Sequence, residues 1–232
     1  MSLPLARRSS NEQDATPSSV AMAVQVRPRR SVVRRLIVRA VPSGDVAPMM
    51  ITRHYLRSMP LAAVRCFGVF LDDQLVGGVV FTTGARHGHR MLSGSRASDV
   101  VTLARLYLID ELPKNAESRV LGIVAREMRR HHRAKALLSY ADPAVGHAGT
   151  IYKAAGWAYL GRGESTRYLD FGDGVLRHPR SISTQYGTCS PRQLARQGIH
   201  AIAVETVGKH RFCYLLDESW AWRLTTSRGE AA

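Results

Sequence analysis

The chain has 232 residues, and 33 Lys and Arg against 18 Asp and Glu give it a formal net charge of +15 and a pI near 10.7. This length fits one domain with appendages, and a hydrophobic fraction of 45% is typical of a soluble globular protein. No run approaches the roughly 18 apolar residues of a membrane span, and residues 1–30 lack the apolar core of a secretory signal.

The strongly basic balance favours a polyanionic partner, and nucleic acid is the commonest one. The alternative is a merely basic protein from an arginine-rich proteome. The three cysteines, Cys66, Cys189 and Cys213, lie far apart and form neither a zinc-site spacing nor a disulfide framework. We therefore expect a protein of the reducing cytoplasm, with no membrane partner.

Composition divides the chain into two parts. Residues 1–33 are rich in Ser, Pro, Ala and Arg and show no hydrophobic periodicity, so they are predicted to be a disordered basic arm. Such an arm could contact phosphates, or it could be an inert leader. Residues 34–232 are predicted to form a single catalytic domain.

Periodicity and turn residues predict a series of strands and helices over the second part. In chain order these are a strand at 35–41, a helix from 43 to about 54–56, hairpin strands at 63–71 and 75–83 around Asp72-Asp73, a long loop at 84–98, a strand at 103–108, a helix at 115–131 capped by Asn115, a strand at 136–141, a short helix at 150–155, strands at 157–161 and 165–171, a loop at 172–187, a helix at 190–197 capped by Ser190, and a strand at 211–216.

The strand at 103–108, the helix at 115–131 and the strand at 136–141 make a β-α-β crossover behind an antiparallel hairpin. This order predicts an α/β (α+β) fold with a mixed central sheet flanked by helices, the layout of GNAT-like acyltransferases. Ligands bind such sheets at the carboxyl ends of the parallel strands. The site is therefore expected near Leu108–Pro113 and Tyr140–Asp142.

The second of these ends carries an unusual density of reactive side chains. Residues 138–161 read LSYADPAVGHAGTIYKAAGWAYLG, a strand, a polar turn, a short helix and a strand. At the carboxyl end of its strand, Asp142 could accept a proton or bind a metal. It could equally be a turn-forming aspartate before Pro143. His147 ranks below Asp142, because it could be a simple turn residue, and Trp157 is expected in the core.

Four segments resemble the phage Mom-like DNA modification proteins, and the resemblance covers about residues 34–216. They are HYLRSMP (54–60), LARLYLIDELPKNAESR (103–119), SYADPAVGHAGTIYKAAGW (139–157) and GKHRF (208–212). The resemblance implies a GNAT-like fold and an enzyme that places a carbamoylmethyl group on N6 of adenine in phage DNA. This modification protects the DNA from host restriction, so a phage-encoded chain would act in the host bacterial cytoplasm.

Matching motifs carry the family's site residues onto this chain. The resemblance implies catalytic roles for His54, Tyr55, Asp142 and Tyr152, and cofactor or donor contacts for Arg105 and Ser118. Iron has been linked to the family, which makes His54, Asp142 and Tyr152 a candidate metal set.

Each of these residues also has a structural alternative. His54 could be a satisfied histidine near a helix end, Tyr152 a core aromatic, and Ser118 a polar group of a first helical turn. A buried arginine is rare without an anionic partner, which favours a donor or phosphate contact for Arg105.

The group donor stays open. Ordinary GNAT enzymes bind pyrophosphate with a glycine-containing loop before the long helix, whereas this chain has residues 113–119, PKNAESR, at that place. A helix start can still hold an anion, but without glycine a close approach of the backbone is hindered, so acetyl-CoA is a doubtful cofactor. The alternatives to DNA modification are an acetyl-CoA-dependent N-acetyltransferase acting on a small-molecule or protein amine, and a non-catalytic DNA-binding protein.

Basic residues of two loops are the candidate contacts to double-stranded DNA, chiefly through phosphates. They are Arg86, Arg90 and Arg96 of the loop at 84–98, and Arg177 and Arg180 of the loop at 172–187. The arginines at 126–133 are more typical of a solvated helix face. The oligomeric state is not predicted, and a dimer stays an option.

Overall fold

The computed structural model describes residues 31–84 and 87–224, except for the side chains of Val145, Arg180 and Trp222. Nine strands and six α-helices lie within these ranges. The strands are β1 (Ile37–Val41), β2 (Ala63–Leu71), β3 (Gln74–Thr82), β4 (Val100–Leu108), β5 (Ala136–Ala141), β6 (Ala158–Arg162), β7 (Thr166–Asp170), β8 (Ile202–Thr206) and β9 (His210–Leu215). The α-helices are α1 (Val32–Arg35), α2 (Ser43–Thr52), α3 (Ala116–His131), α4 (Thr150–Ala154), α5 (Pro179–Tyr186) and α6 (Pro191–Arg196).

Seven of these strands form one sheet in the order β1-β2-β3-β4-β5-β9-β6. Neighbours are antiparallel except β4 and β5, which are parallel. The β2–β3 hairpin turns through Asp72 and Asp73, whose φ angles of 48° and 64° match the left-handed turn that suits the twist of paired strands. Strand order and crossover confirm the predicted GNAT-like mixed sheet with helices on it.

Helix α3 makes the crossover between the two parallel strands. Its apolar positions recur at helical spacing, and Val120, Leu121, Val124 and Met128 are all buried against the sheet, as predicted. Trp157 is buried in the same core. This packing fixes the start of α3 beside the carboxyl ends of β4 and β5.

A smaller unit interrupts the chain between β6 and β9. Strands β7 and β8 pair with each other, and Leu169, Ile182 and Leu194 bring α5 and α6 onto them. Two predictions were wrong here: the loop at 172–187 contains α5, and β8 was missed. The polar residues 172–187 indicated a loop, but proline is well suited to the first helical position, which Pro179 occupies.

The predicted helix caps lie at the right positions but bind differently. Asn115 precedes α3 in the left-handed region, at φ 73°, and its side chain makes no capping hydrogen bond. Ser190 precedes α6, also without a side-chain cap bond. The described part of the loop at 84–98 contains two 3-10 turns, Gly88–Met91 and Ala97–Asp99, and β4 begins at Val100, earlier than predicted.

The predicted basic arm lies outside the described residues, except for residues 31–33, where α1 begins. Among the helices in the described ranges, none combines the length and the apolar character needed to cross a bilayer.

Candidate active site

A cavity of about 510 Å³ opens where β4 and β5 diverge. The two strands pair only from Val100 with Ala136 to Leu103 with Ser139, and beyond that point they separate. The cavity lies at the carboxyl ends of the parallel strands, where the sequence predicted it. Its walls come from β4, β5, the segment after α2, and the turn into α4: His54, Tyr55, Leu103–Leu108, Asp110, Glu117, Tyr140, Ala141 and Gly146–Tyr152.

His54 follows the end of α2 and is only 5% exposed. Its Nδ1 accepts the backbone N–H of Leu56 at 3.1 Å. Burial, followed by the charges of Arg105 and His147, lowers the pKa of His54 from 6.5 to about 4. His54 is therefore neutral near pH 7, with its proton on Nε2. In this state the side chain is a hydrogen-bond donor to the cavity rather than a base.

Tyr55 lies next to it, half exposed, as part of an aromatic wall. Its ring is 4.5 Å from that of His54, and His147 packs edge-on against its ring at 5.2 Å. Burial raises the pKa of Tyr55, so the phenol keeps its proton at neutral pH. The structure thus brings His147 into the cavity, although sequence reasoning ranked it low.

Arg105 spans the floor of the cavity and fixes the segment that carries Tyr55. Its Nε donates to the carbonyl oxygen of Ser58 at 2.9 Å, and its Nη2 donates to Ser58 Oγ at 3.1 Å. A third bond joins Nη1 to the carbonyl oxygen of Ala104 at 2.8 Å. Burial lowers the pKa of Arg105. Its partners here are neutral groups, and its predicted contact with a donor or phosphate stays a prediction.

Asp142 lies immediately beside the cavity rather than among its lining residues. One carboxylate oxygen caps the 3-10 turn Pro143–Val145 by accepting the N–H of Ala144 at 3.0 Å. The other oxygen lies 2.8 Å from Nζ of Lys209. Sequence reasoning missed Lys209, although the GKHRF segment that contains it was one of the four segments that carried the resemblance.

Lys209 stays charged in this setting. Burial by itself lowers its pKa, but the hydrogen bond to Asp142 and the nearby Tyr168 and Tyr55 outweigh burial and raise it. The pair is a compact, nearly neutral group at the edge of the site.

Tyr152 is 8% exposed and combines the two roles that the sequence left open. It lines the cavity from α4, and its ring also packs on Trp157 at 5.3 Å and on Phe212 at 5.0 Å. Burial raises its pKa, although a hydrogen bond with Ser139 opposes this.

Ser118 belongs to a neighbouring cavity of about 300 Å³ between the start of α3 and α4. Its Oγ donates to the carbonyl oxygen of Asn115 at 3.1 Å, which is the ordinary first-turn arrangement. Glu117 and Thr150 line both cavities. Of the residues that the resemblance implies, four line the main cavity: His54, Tyr55, Arg105 and Tyr152. Asp142 lies at its edge, and Ser118 lines the neighbouring cavity.

The candidate metal set does not fit a cation in this arrangement. His54 has only Nε2 left, and that atom carries the proton of the neutral ring. Lys209 occupies one oxygen of Asp142, and a lysine ammonium competes directly with a metal. Over the described residues there is also no cluster of three or more His, Cys, Asp and Glu side chains that could hold a metal ion.

Two of the predicted DNA contacts, Arg90 and Arg96, lie far from the cavity along the parallel strands. Both residues belong to the turns that precede β4. These turns lie at the amino ends of β4 and β5, whereas the cavity lies at their carboxyl ends. Arg177 forms a two-bond ion pair with Asp173, with Nη1 at 2.8 Å from Oδ1. Arg86, and the side chain of Arg180, lie outside the described residues.

The model of the Mom protein family matches residues 35–230. The chain belongs to the Mom protein family. A curated relative, the methylcarbamoylase mom of Escherichia phage Mu, is 29% identical over 120 residues, which is 50% of this chain and 50% of the relative. The chain therefore matches about half the length of that relative.

Solved acetyltransferase structures are also similar to the chain. The spermidine/spermine N-acetyltransferase SpeG from Vibrio cholerae covers 83% of this chain and 99% of its own, with 11% identity and a TM-score of 0.47. An N-acetyltransferase from Staphylococcus aureus Mu50 covers 78% and 97%, with 11% identity and a TM-score of 0.42. The activities in these names belong to those enzymes.

Proposed function

We propose that this Mom family protein is a transferase that adds a carbamoylmethyl-type group to the N6 amine of adenine in phage double-stranded DNA, protecting it from host restriction. Family membership and the phage Mu relative, named a methylcarbamoylase, support the reaction class. The observation that carries the proposal is the cavity at the divergence of β4 and β5, with its aromatic wall and convergent hydrogen-bond donors.

The cavity suits a flipped purine. An enzyme that modifies a base must take it out of the stack and hold it between aromatic surfaces. Tyr55, supported by the edge-on ring of His147, offers one such surface at the cavity wall, and both side chains are exposed in the free protein. The volume of about 510 Å³ lies within the range of small-molecule sites, which leaves room for a base and for part of a donor.

The side chains of the site have two roles in this reaction, as hydrogen-bond donors and as a proton acceptor. Nε2–H of His54 and the phenols of Tyr55 and Tyr152 can donate hydrogen bonds to ring nitrogens of the base or to the carbonyl oxygen of the transferred group. In the transfer, N6 forms a bond to the methylene carbon of the donor, and the bond from that carbon to the leaving group breaks with its electron pair. The proton that N6 loses passes to the carboxylate of Asp142, once Lys209 has shifted its contact.

An acetyl donor bound through a pyrophosphate is disfavoured by the start of α3. Asn115 occupies a left-handed conformation without glycine, and the carboxylate of Glu117 lines both cavities at this helix start. The negative charge of this carboxylate would repel the phosphates of a bound acetyl-CoA. The donor is therefore proposed to be one other than acetyl-CoA.

The test is mass spectrometry of nucleosides from DNA of cells that express the chain. Wild type is expected to yield an adenine-derived nucleoside with the mass of a carbamoylmethyl addition, whereas Asp142→Asn should lose this peak. Arg126→Ala, an exposed substitution on α3, is the matched control and should keep it. Unmodified deoxyadenosine in cells with folded wild-type protein would refute the proposal, and an N-acetylated amine instead would favour the acetyltransferase alternative.

A further inference from the structure

A cluster of basic and aromatic side chains adjoins the candidate site on its β9–β6 side. It consists of Lys153 on α4, Tyr159 and Arg162 on β6, and His210 on β9, and we call it the β6–β9 patch. Lys153 Nζ lies 5.7 Å from the centroid of the Tyr159 ring, and the Tyr159 hydroxyl lies 3.0 Å from Nδ1 of His210. Lys153, Tyr159 and Arg162 are exposed.

Three observations place this patch next to the cavity. His210 pairs with Ala141, which lines the cavity, and with Arg162 on the other side. Lys153 directly follows Tyr152 on α4. The ring of Phe212 separates the ring of Tyr152 from that of Tyr159, at centroid distances of 5.0 Å and 5.4 Å. The patch is thus one aromatic layer away from the site.

The charged side chains around His210 are both positive. Burial, then Arg162 and Lys153, lower the pKa of His210, as expected where positive charges converge on a histidine. Tyr159 is 41% exposed, so an aromatic face accompanies the charges. Basic side chains interleaved with an exposed aromatic ring are typical of nucleic-acid contacts.

We propose that the β6–β9 patch holds the DNA backbone beside the flipped adenine, with Lys153 and Arg162 on phosphates and Tyr159 against the sugar or an adjacent base. The inference rests on the proposed function. A flipped nucleotide stays joined to its two flanking phosphates, so cations must lie close to the mouth of the cavity that receives the base. Arg90 and Arg96 lie near the amino ends of β4 and β5, whereas the cavity lies at the carboxyl ends, so these two arginines cannot contact the phosphates next to the flipped base.

The experiment measures binding of the full chain to a fluorescent DNA duplex by anisotropy at several salt concentrations, with nucleoside mass spectrometry on the same variants. The test variant is Lys153→Gln/Arg162→Gln. The matched control is Arg126→Gln/Arg133→Gln, which removes one exposed charge from α3 and one from the segment that follows it. Each phosphate contact contributes about 0.9 to the slope of log affinity against log salt. The test variant should therefore bind about tenfold or more weakly, with a slope smaller by about 2, whereas the control should shift much less.

The outcomes separate this inference from the proposed function. Equal losses of affinity in the two variants, or no loss in either, would overturn the role of the patch even if wild type modifies adenine. Patch-dependent duplex binding by a wild type that leaves adenine unmodified would uphold the patch and refute the proposed function. Lys153→Arg/Arg162→Lys should retain most of the affinity, which ties the loss to charge. Thermal unfolding of each variant confirms that it is folded.

Discussion

Nζ of Lys209 lies 2.8 Å from Oδ2 of Asp142. Asp142 directly follows β5, and Lys209 directly precedes β9. The contact therefore joins the end of β5 to the segment by which the chain returns from the small unit of β7, β8, α5 and α6 to the main sheet. Under the proposed function, the carboxylate that accepts the proton of N6 is therefore held in place by a cation in the free protein.

The first prediction concerns this pair. Lys209→Met should lower adenine modification tenfold or more, because Lys209 holds the Asp142 carboxylate in position until the substrate displaces the contact. The lysine is 41% exposed, so solvent screening limits the stability effect to about 1 kcal/mol. Asp142→Asn and the double variant complete a thermodynamic cycle measured by urea unfolding. Additive losses of stability would contradict a direct interaction between the two side chains.

The second prediction concerns the fork of Arg105. Arg105→Lys keeps a positive charge but cannot make both bonds to Ser58, so the segment with His54 and Tyr55 should loosen. We expect modification to fall tenfold or more, with a loss of about 1–2 kcal/mol in unfolding free energy. Ser58→Ala removes only the hydroxyl bond and should cost less on both measures. Full activity of Arg105→Lys would show that charge alone matters.

The third prediction concerns acid sensitivity from His54. Its pKa is about 4 in the folded protein against an ordinary 6.5, so the unfolded chain binds this proton more readily. The group has no effect on stability above pH 6.5, and it destabilises the fold progressively as the pH falls from 6.5 towards 4. At pH 4.5 the loss is about 2–3 kcal/mol.

His54→Asn tests this directly, because the amide oxygen can still accept the N–H of Leu56 while the titration is gone. Urea unfolding at pH 7.5 and 4.5 should show a smaller acid loss in this variant than in wild type. His200→Asn, at an exposed position, serves as the control and should keep the wild-type acid loss. The same acid loss in all three proteins would remove His54 as its source.

Local sequence predicted the parts of this fold that depend on local forces. Strand β5, the β2–β3 hairpin around Asp72-Asp73, and the buried face of α3 follow from periodicity and turn residues. The grouping of His54, Tyr55, Arg105 and Tyr152 in one cavity agrees with the motif resemblance. Periodicity alone could not predict it, because these residues come from three separate parts of the chain.

The remaining features depend on long-range contacts. Lys209 gains a role only because β9 inserts beside β5, which places it opposite Asp142. His147 is indistinguishable from a turn residue until Tyr55, from a distant segment, packs against it. Helix α5 depends on Ile182 packing with Leu169 and Leu194, and its sequence alone has a weak helical signal.

The last prediction concerns Gly149, which precedes α4 at φ +74°. A Cβ at this position would lie 2.2 Å from ring atoms of Phe212, the buried ring between Tyr152 and Tyr159. Gly146 has a similar φ of +77° but nothing within 4 Å of its Cβ position, which makes it a matched control. Both alanine variants incur the strain of a left-handed residue, about 1–2 kcal/mol.

Only Gly149→Ala adds overpacking against Phe212, which costs about 1–3 kcal/mol more. Urea unfolding of the two variants should therefore differ by that amount. Gly149→Ala should also lower adenine modification more than Gly146→Ala does, because Phe212 carries the ring of Tyr152 on the cavity side and that of Tyr159 on the side of the β6–β9 patch. Equal losses of stability would mean that Phe212 moves aside freely, and the aromatic layer would then not link the cavity to the patch.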